Sequence, residues 1–360
     1  YFAGLLVVLW TGSLYANGCY TSIISFGDSI ADTGNIKHLG FITNQTFESL
    51  LPPYGQTFFH RPTGRASDGR LIIDFLAESL GFPFIPPYMR IGSSNVVKLN
   101  HGVNYAVAGA TAVSSQLLAK KGIHNSVTNA SLDIQLRWFK HSLPYFCGNA
   151  SGNAISMIQR QCNCRNLIGN SLILMGEIGG NEYNYPLRDE KPIDEIKSFV
   201  PLVVNTIASA INEMIEIGAQ TIVVPGNFPV GCSSAHLTVR GSKNEEYDPI
   251  TGCLTQLNQF AEYHNQLLQT KLNQIREMHP NVNIIYADYY NAAMQIYRSP
   301  YKFGFTNGAL KACCGGGGPY NYNLTAKCGD EYASACDEPN TYVSWDGVHL
   351  TEAAYKVIFE

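Results

Sequence analysis

Two short stretches at opposite ends of the chain carry residue types that could together make a serine into a nucleophile. Near the start runs Phe26-Gly27-Asp28-Ser29-Ile30-Ala31-Asp32-Thr33-Gly34-Asn35, and near the end Ser344-Trp345-Asp346-Gly347-Val348-His349. A serine becomes a nucleophile when a base takes its proton, a third group orients the base, and fixed donors meet the developing oxyanion. On a loop, a carboxylate three residues before a histidine can reach Nδ1, fix the tautomer and leave Nε2 free for a serine proton. Taken alone, each stretch has a plainer explanation. Gly-Asp-Ser is a three-residue match that a turn or helix-cap serine satisfies, and a helix-capping Asp346 can sit beside a solvated His349. The other eight histidines have no comparable neighbour, and the G-x-S-x-G elbow of α/β-hydrolases is absent.

For the two stretches to meet, the fold must bring them to one edge. Open α/β sheets bind ligands beyond the carboxyl ends of their strands. Short β-rich runs alternate here with longer helical patterns, which predicts an α/β fold with a largely parallel sheet. Ser22–Phe26 reads as a first buried strand that ends at Gly27-Asp28-Ser29. Ser171–Met175 reads as another, followed by a glycine-rich turn from Gly176 to Asn181. A periodic segment from Asp194 to Ile217 predicts a helix, with Asp194 as N-cap, Gly218 as its stop and Pro201 as a kink or restart. A strand over Gln220–Val224, a long helix over Leu254–Met278, a strand over Val282–Tyr286 and a last helix from Thr351 complete the pattern.

Composition excludes several classes. Hydrophobic residues are 45% of the 360 and charged residues only 14%, so a disordered chain is excluded. Lys+Arg 24 against Asp+Glu 28, with no basic block, argues against a nucleic-acid partner. Gly315-Gly316-Gly317-Gly318 has neither the preceding strand nor the spacing of a dinucleotide loop, and reads as a cysteine-anchored surface loop. Ten cysteines are many for a cytosolic enzyme. Cys162-x-Cys164 has no partner pair at zinc-site distance, so a metal site is not expected. The opening Phe2–Trp10 run is too short to span a bilayer comfortably. With Ala16 as cleavage point it reads as a signal peptide over 1–16, cut at its start, before one domain over 17–360. Sequons at Asn44, Asn129, Asn149 and Asn323 agree with a secreted route. No stable membrane anchor and no protein partner are inferred.

Together, Phe26-Gly27-Asp28-Ser29 with Asp32-x-Gly34-Asn35 and Asp346-x-x-His349 resemble the plant GDSL esterase/lipase family of the SGNH hydrolase superfamily. Asn104-Tyr-Ala-Val-Ala-Gly109-Ala-Thr, Gly179-Gly180-Asn181-Glu182 and Val224-Pro-Gly-Asn-Phe-Pro-Val-Gly-Cys232 fit the same family, as do Tyr286–Asn291 and the Cys313-to-Asn323 stretch. The resemblance covers nearly the whole mature chain in order. It implies a flavodoxin-like three-layer α/β/α sandwich and ester hydrolysis without a cofactor. Carried over, Ser29 is the nucleophile, His349 the base and then acid, and Asp346 its orienting carboxylate. The Ser29 and Gly109 backbone N–H groups and the Asn181 amide form the oxyanion hole. Asp28 and Asp32 read as turn formers and loop acceptors.

One position departs from the family. The usual third block is G-x-N-D, whereas Glu182 follows Asn181 here, and its extra methylene is expected to disturb the Asn181 amide. The motifs look most like the branch with esterases of specialised metabolites, such as acetylated alkaloids or choline esters. Short-acyl soluble esters are the expected substrates, because no large exposed apolar patch or lid for fats is evident. Acyl transfer through the same acyl-enzyme and a non-catalytic binding glycoprotein are the alternatives. The expected location is extracellular, in cell wall or apoplast, with the vacuole as the other choice.

Overall fold

The computed structural model describes residues 20–90, 101–147, 164–242 and 245–360. The proposed signal segment, Cys19, Asn149, Cys162 and the side chain of Cys147 lie outside the described residues.

The central sheet has five parallel strands, β1 (Ser22–Ser25), β2 (Gly102–Asn104), β3 (Ser171–Leu174), β4 (Thr221–Pro225) and β5 (Asn283–Ala287), in the order β2-β1-β3-β4-β5. This is the flavodoxin-like strand order, whose direction of winding reverses between β1 and β3. Successive strand side chains point to opposite faces, and the register exploits it. Val103, Ile24, Ile173, Ile222 and Ile284 pair side by side across the strands and form one continuous apolar row. That face packs on helices α3 (Leu132–Cys147), α5 (Val200–Ile217) and α7 (Thr255–Met278). Ile23 and Leu172 face the other way, toward α2 (Ile72–Ser79), α8 (Tyr289–Arg298) and α9 (Glu352–Phe359). The result is a three-layer α/β/α sandwich, as the family resemblance implies, on the parallel sheet that the sequence pattern predicts. Three further helices cap the top of the sheet: α1 (Asn35–Thr43), α4 (Asn181–Arg188) and α6 (Ser234–Arg240).

The segment Ile193–Ile217 is long and apolar enough to cross a membrane by composition. Its Val203, Val204, Ile207, Ile211 and Met214 are buried against the sheet, which accounts for that composition. Of the two outcomes expected at Pro201, a restart is what occurs, and the segment from Asp194 is two helices. Pro192 caps a short one over Ile193–Lys197, with Asp194 in its first turn, and Pro201 occupies the first turn of α5. A proline is tolerated there because its missing N–H has no intrahelical partner.

The glycine stretch after Cys313 is cysteine-anchored, as expected, and runs from the interior at Gly315 to the surface at Gly318. Cys313, Cys314 and Gly315 are buried, and disulfides Cys313–Cys336 and Cys314–Cys328 tie them down. A third bridge joins Cys232 and Cys253, and Cys164 is also disulfide-bonded.

Candidate active site

The site is built where β1, β2 and β3 end. Beyond β1, Phe26 and Gly27 carry the chain to Ser29. Gly27 N–H donates to Gln135 Oε1 at 2.9 Å, and its carbonyl accepts from Gln135 Nε2 at 2.8 Å, so one buried side chain grips both sides of this peptide. Asp28 N–H donates to the Glu177 carbonyl at 3.0 Å, which joins the loop after β1 to the loop after β3. The approach is so close that a Cβ on Gly176 would sit 1.7 Å from the Phe26 carbonyl. Only glycine fits there. Asp32 ends the turn: its two oxygens accept from the backbone N–H of Gly34, Asn35, Ile36 and Ala108 at 2.6 to 2.9 Å. Burial pushes its carboxyl up to about 6, against the pull of those four donors.

The Ala108 contact fixes the loop after β2, and with it Gly109 at φ +78°. The Gly109 carbonyl accepts from Tyr185 Oη at 2.9 Å and Asn125 Nδ2 at 2.8 Å. Added bulk would meet Val127 at 2.5 Å. Asn181 opens α4 and borders the same cavity as Ser29 and Gly109. Its amide nitrogen donates to the Ala110 carbonyl at 2.9 Å and to Asp28 Oδ2 at 3.1 Å. Both amide hydrogens therefore have protein acceptors, so binding an oxyanion there means exchanging one of them.

The second half arrives on the loop Ser344–Leu350. His349 Nδ1 lies 2.6 Å from Asp346 Oδ2, and His349 Nε2 lies 2.8 Å from Ser29 Oγ. Residues 320 apart in sequence thus form one hydrogen-bonded chain. Asp346 Oδ1 accepts from the N–H groups of Val348 and His349 at 2.9 and 2.7 Å, so the loop folds back on its own carboxylate. Tyr54, which the sequence offered no reason to single out, adds a fourth link. Its buried Oη donates to Asp346 Oδ2 at 2.7 Å, on the oxygen that faces His349, while its ring packs edge-on against Trp345. Burial alone would raise the Asp346 carboxyl, but the His349 ring and the His349 and Tyr54 hydrogen bonds outweigh it and pull it down to about 2. Burial would lower His349, and the Asp346 carboxylate overcomes that and holds the ring above its ordinary value. A base is thus aligned, with a fixed tautomer, on a hydroxyl that is only 9% exposed.

The sequence of residues 23–360 matches the profile of the GDSL-like lipase/acylhydrolase family. The chain belongs to that family. A GDSL esterase/lipase of Arabidopsis thaliana is 54% identical over 342 residues, covering 95% of this chain and 81% of its own. A second from the same plant is 55% identical and covers 94% and 82%. A sinapine esterase of Brassica napus is 50% identical and covers 94% and 83%. The chain is accordingly a serine esterase of the GDSL class, a family that acts on small-molecule esters.

Within this GDSL esterase the departure at Glu182 has a visible destination. The side chain is fully buried, and its Oε1 accepts from Val113 N–H at 2.8 Å. Oε2 has no partner among the described residues. Burial pushes the carboxyl up to about 8, so it is neutral near pH 7. The longer side chain thus ties α4 to Val113 in the loop after β2. Asn44 and Asn129 are exposed on the surface, and Asn323 is half-exposed.

Two lobes of cavity meet at Ser29. One is largely apolar, with Ile36, Phe47, Val127 and Val239 in its wall, and the other runs past Asn227, Phe228 and Tyr297. An ester has two halves on either side of its carbonyl, and two lobes flanking one hydroxyl suit that shape.

Proposed function

We propose that this esterase cleaves small, soluble, short-acyl esters through an acyl-enzyme on Ser29. His349 takes the Ser29 proton as Oγ attacks the ester carbonyl. It then gives that proton to the departing alcohol. Water enters, His349 takes one of its protons, and the hydroxide adds to the acyl carbon. Collapse releases the acid, and the proton returns to Ser29 Oγ. Asp346 stays ionised throughout and stabilises the imidazolium that forms twice per turnover. The carbonyl oxygen, negative in each tetrahedral intermediate, is met by the backbone N–H groups of Ser29 and Gly109 and by the Asn181 amide once it releases Ala110 or Asp28.

The observation that carries this reading is the continuous hydrogen-bonded chain Asp346–His349–Ser29 opening onto a divided cavity. The smaller lobe, past Asn227, Phe228 and Tyr297, supports a small group on one side of the carbonyl. The similarity to a sinapine esterase supports an ester of a plant specialised metabolite as the natural substrate. The disulfides and the exposed Asn44 and Asn129 sequons support an extracellular site of action, after removal of an N-terminal signal segment and as one catalytic domain.

The test compares wild type with Ser29→Ala for p-nitrophenyl acetate and butyrate hydrolysis and for fluorophosphonate labelling. Turnover and labelling in the wild type, both abolished in Ser29→Ala, are expected. Equal labelling of the two proteins would move the nucleophile elsewhere.

A further inference from the structure

Ser29, Asn181, Asn184, His236, Val348 and His349 border both lobes of the cavity and so mark the junction through which any substrate must pass. The hydrolytic chemistry uses Ser29, His349 and Asn181. It has no use for His236 or Asn184, yet both line the junction. His236 stands on α6 and is only 6% exposed. Its Nδ1 lies 3.1 Å from the Val230 carbonyl, which can only accept, so Nδ1 carries the proton. Burial, opposed only by that carbonyl, pulls the ring down to about 4, so it is neutral at working pH. Nε2 is then a fixed lone-pair acceptor, and it has no partner among the described residues. Asn184 lies three residues after Asn181 on α4, on the same face of the helix. Its half-buried carboxamide, which can donate and accept, also has no partner among the described residues.

We propose that His236 and Asn184 form a hydroxyl-recognition subsite, and that this esterase selects esters bearing a free hydroxyl near the scissile bond. A hydroxyl gives its proton to His236 Nε2 and accepts one from Asn184 Nδ2, so it satisfies both groups at once. A carboxylate has no proton for Nε2, a quaternary ammonium has no N–H to donate, and an alkyl chain leaves both groups unpaired. Sites built to hydrogen-bond a substrate hydroxyl reject the analogue without it because their own polar groups then go unsatisfied. The hydroxyl can belong to a polyol ester or to a hydroxy-acid ester. The inference rests on Ser29 being the nucleophile, since that fixes where the substrate sits.

The experiment measures kcat/KM for two matched pairs with the full chain: 2,3-dihydroxypropyl butyrate against propyl butyrate, and p-nitrophenyl 3-hydroxybutyrate against p-nitrophenyl butyrate. The wild type should favour the hydroxylated member of one pair by about tenfold, and the pair that shows the preference names the half of the ester that is read. His236→Leu should bring that ratio close to one, Asn184→Ala should lower it part-way, and His236→Gln, which keeps an acceptor, should restore most of it. Ratios of one for the wild type in both pairs overturn the inference. So does a His236→Leu enzyme that loses both members of a pair equally, and if that variant does not fold, an unchanged ratio in Asn184→Ala overturns it. Wild-type turnover that survives Ser29→Ala overturns the nucleophile instead, and no turnover of any of the four esters overturns both.

Discussion

The loop that carries Ser29 hangs from the buried end of β1, whereas the loop that carries Asp346 and His349 is held by other loops. The first is fixed by main-chain and buried amide contacts: Gln135 across Gly27, Glu177 on Asp28, and Asp32 on four N–H groups. Its geometry belongs to the sheet and survives as long as the sheet does. The second is held from three sides. Cys313 and Cys314 N–H donate to the Ser344 and Trp345 carbonyls at 2.9 and 2.7 Å, and these cysteines are themselves bridged to Cys336 and Cys328. Ser233 Oγ and Ala235 N–H both donate to the Gly347 carbonyl, at 2.7 and 3.0 Å, and Tyr54 holds Asp346. Half of the site is therefore part of the core. The other half is braced by covalent links and single side chains, and it can be loosened while the sheet stays intact.

The largest effect should come from breaking the relay without touching its supports. Asp346→Asn keeps the shape of the side chain but removes the charge that orients and stabilises His349. It should lower kcat by roughly 10³–10⁴-fold, measured on p-nitrophenyl butyrate, with the unfolding midpoint changed little. If kcat falls less than tenfold, His349 does not depend on this carboxylate.

Next in size is the covalent brace. Cys314→Ala combined with Cys328→Ala removes one link of 14 residues' separation. It should cost about 2–4 kcal/mol of stability, read by denaturant unfolding. The distinguishing outcome lies in fluorophosphonate labelling in native buffer, which should slow because His349 is no longer held on Ser29 Oγ. Labelling at the wild-type rate would mean that Tyr54 and the Gly347 contacts hold the loop alone.

Tyr54→Phe sharpens the comparison further, since it deletes one hydroxyl and keeps the Trp345 packing. Without that donor the Asp346 carboxylate is more basic and the imidazolium better stabilised, so His349 should stay protonated to higher pH. A loss of about tenfold or less in kcat/KM is expected, together with an acid limb displaced upward. A purely structural role would lower the rate and leave the limb where it was.

The smallest effect is in the wild type itself. His349 lies above its ordinary value because Asp346 overcomes the cost of burial. The base form therefore disappears as pH falls, and kcat/KM should decline through a midpoint above the ordinary histidine value of about 6.5. The linked stability has the opposite sense. The contribution of His349 is fully present below its unfolded value and is lost as pH rises through the raised one, so the pH range of highest activity is where this contribution leaves. Asp346, held down at about 2, contributes above the ordinary carboxylate range and loses that contribution only as pH falls toward 2. A limb centred below 6 would contradict the Asp346–His349 coupling.

Much of this was legible in the sequence. The alternation of buried runs and periodic segments gave β1, β3, β4 and β5 to within a residue or two, because burial on both faces leaves an apolar run that few other arrangements need; β2, only Gly102–Asn104, is too short to leave such a run and was missed. Ser29 and the Asp346-x-x-His349 spacing were legible because a hydrogen-bonded relay of this kind needs particular residue types and not polarity alone. Tyr54 and His236 were not. Each is one of many residues of its kind, and neither lies near a motif; their roles come from contacts 292 residues away and across two loops of cavity. The cysteine anchoring of the Cys313–Gly318 stretch was legible, but its depth was not: Gly315 is buried under the Asn321 carbonyl, while Gly318 is exposed.

By itself, then, the sequence determined the class of fold, the family and the residues able to do the chemistry, because hydrophobic period and local motif are written along the chain. Which of them meet, what shares a proton or an oxygen with them, and how the cavity divides around Ser29 were decided only when the strands paired. Hydrogen bonds act over about 3 Å in space, and nothing in the linear order records which distant side chains the packed layers bring within that reach.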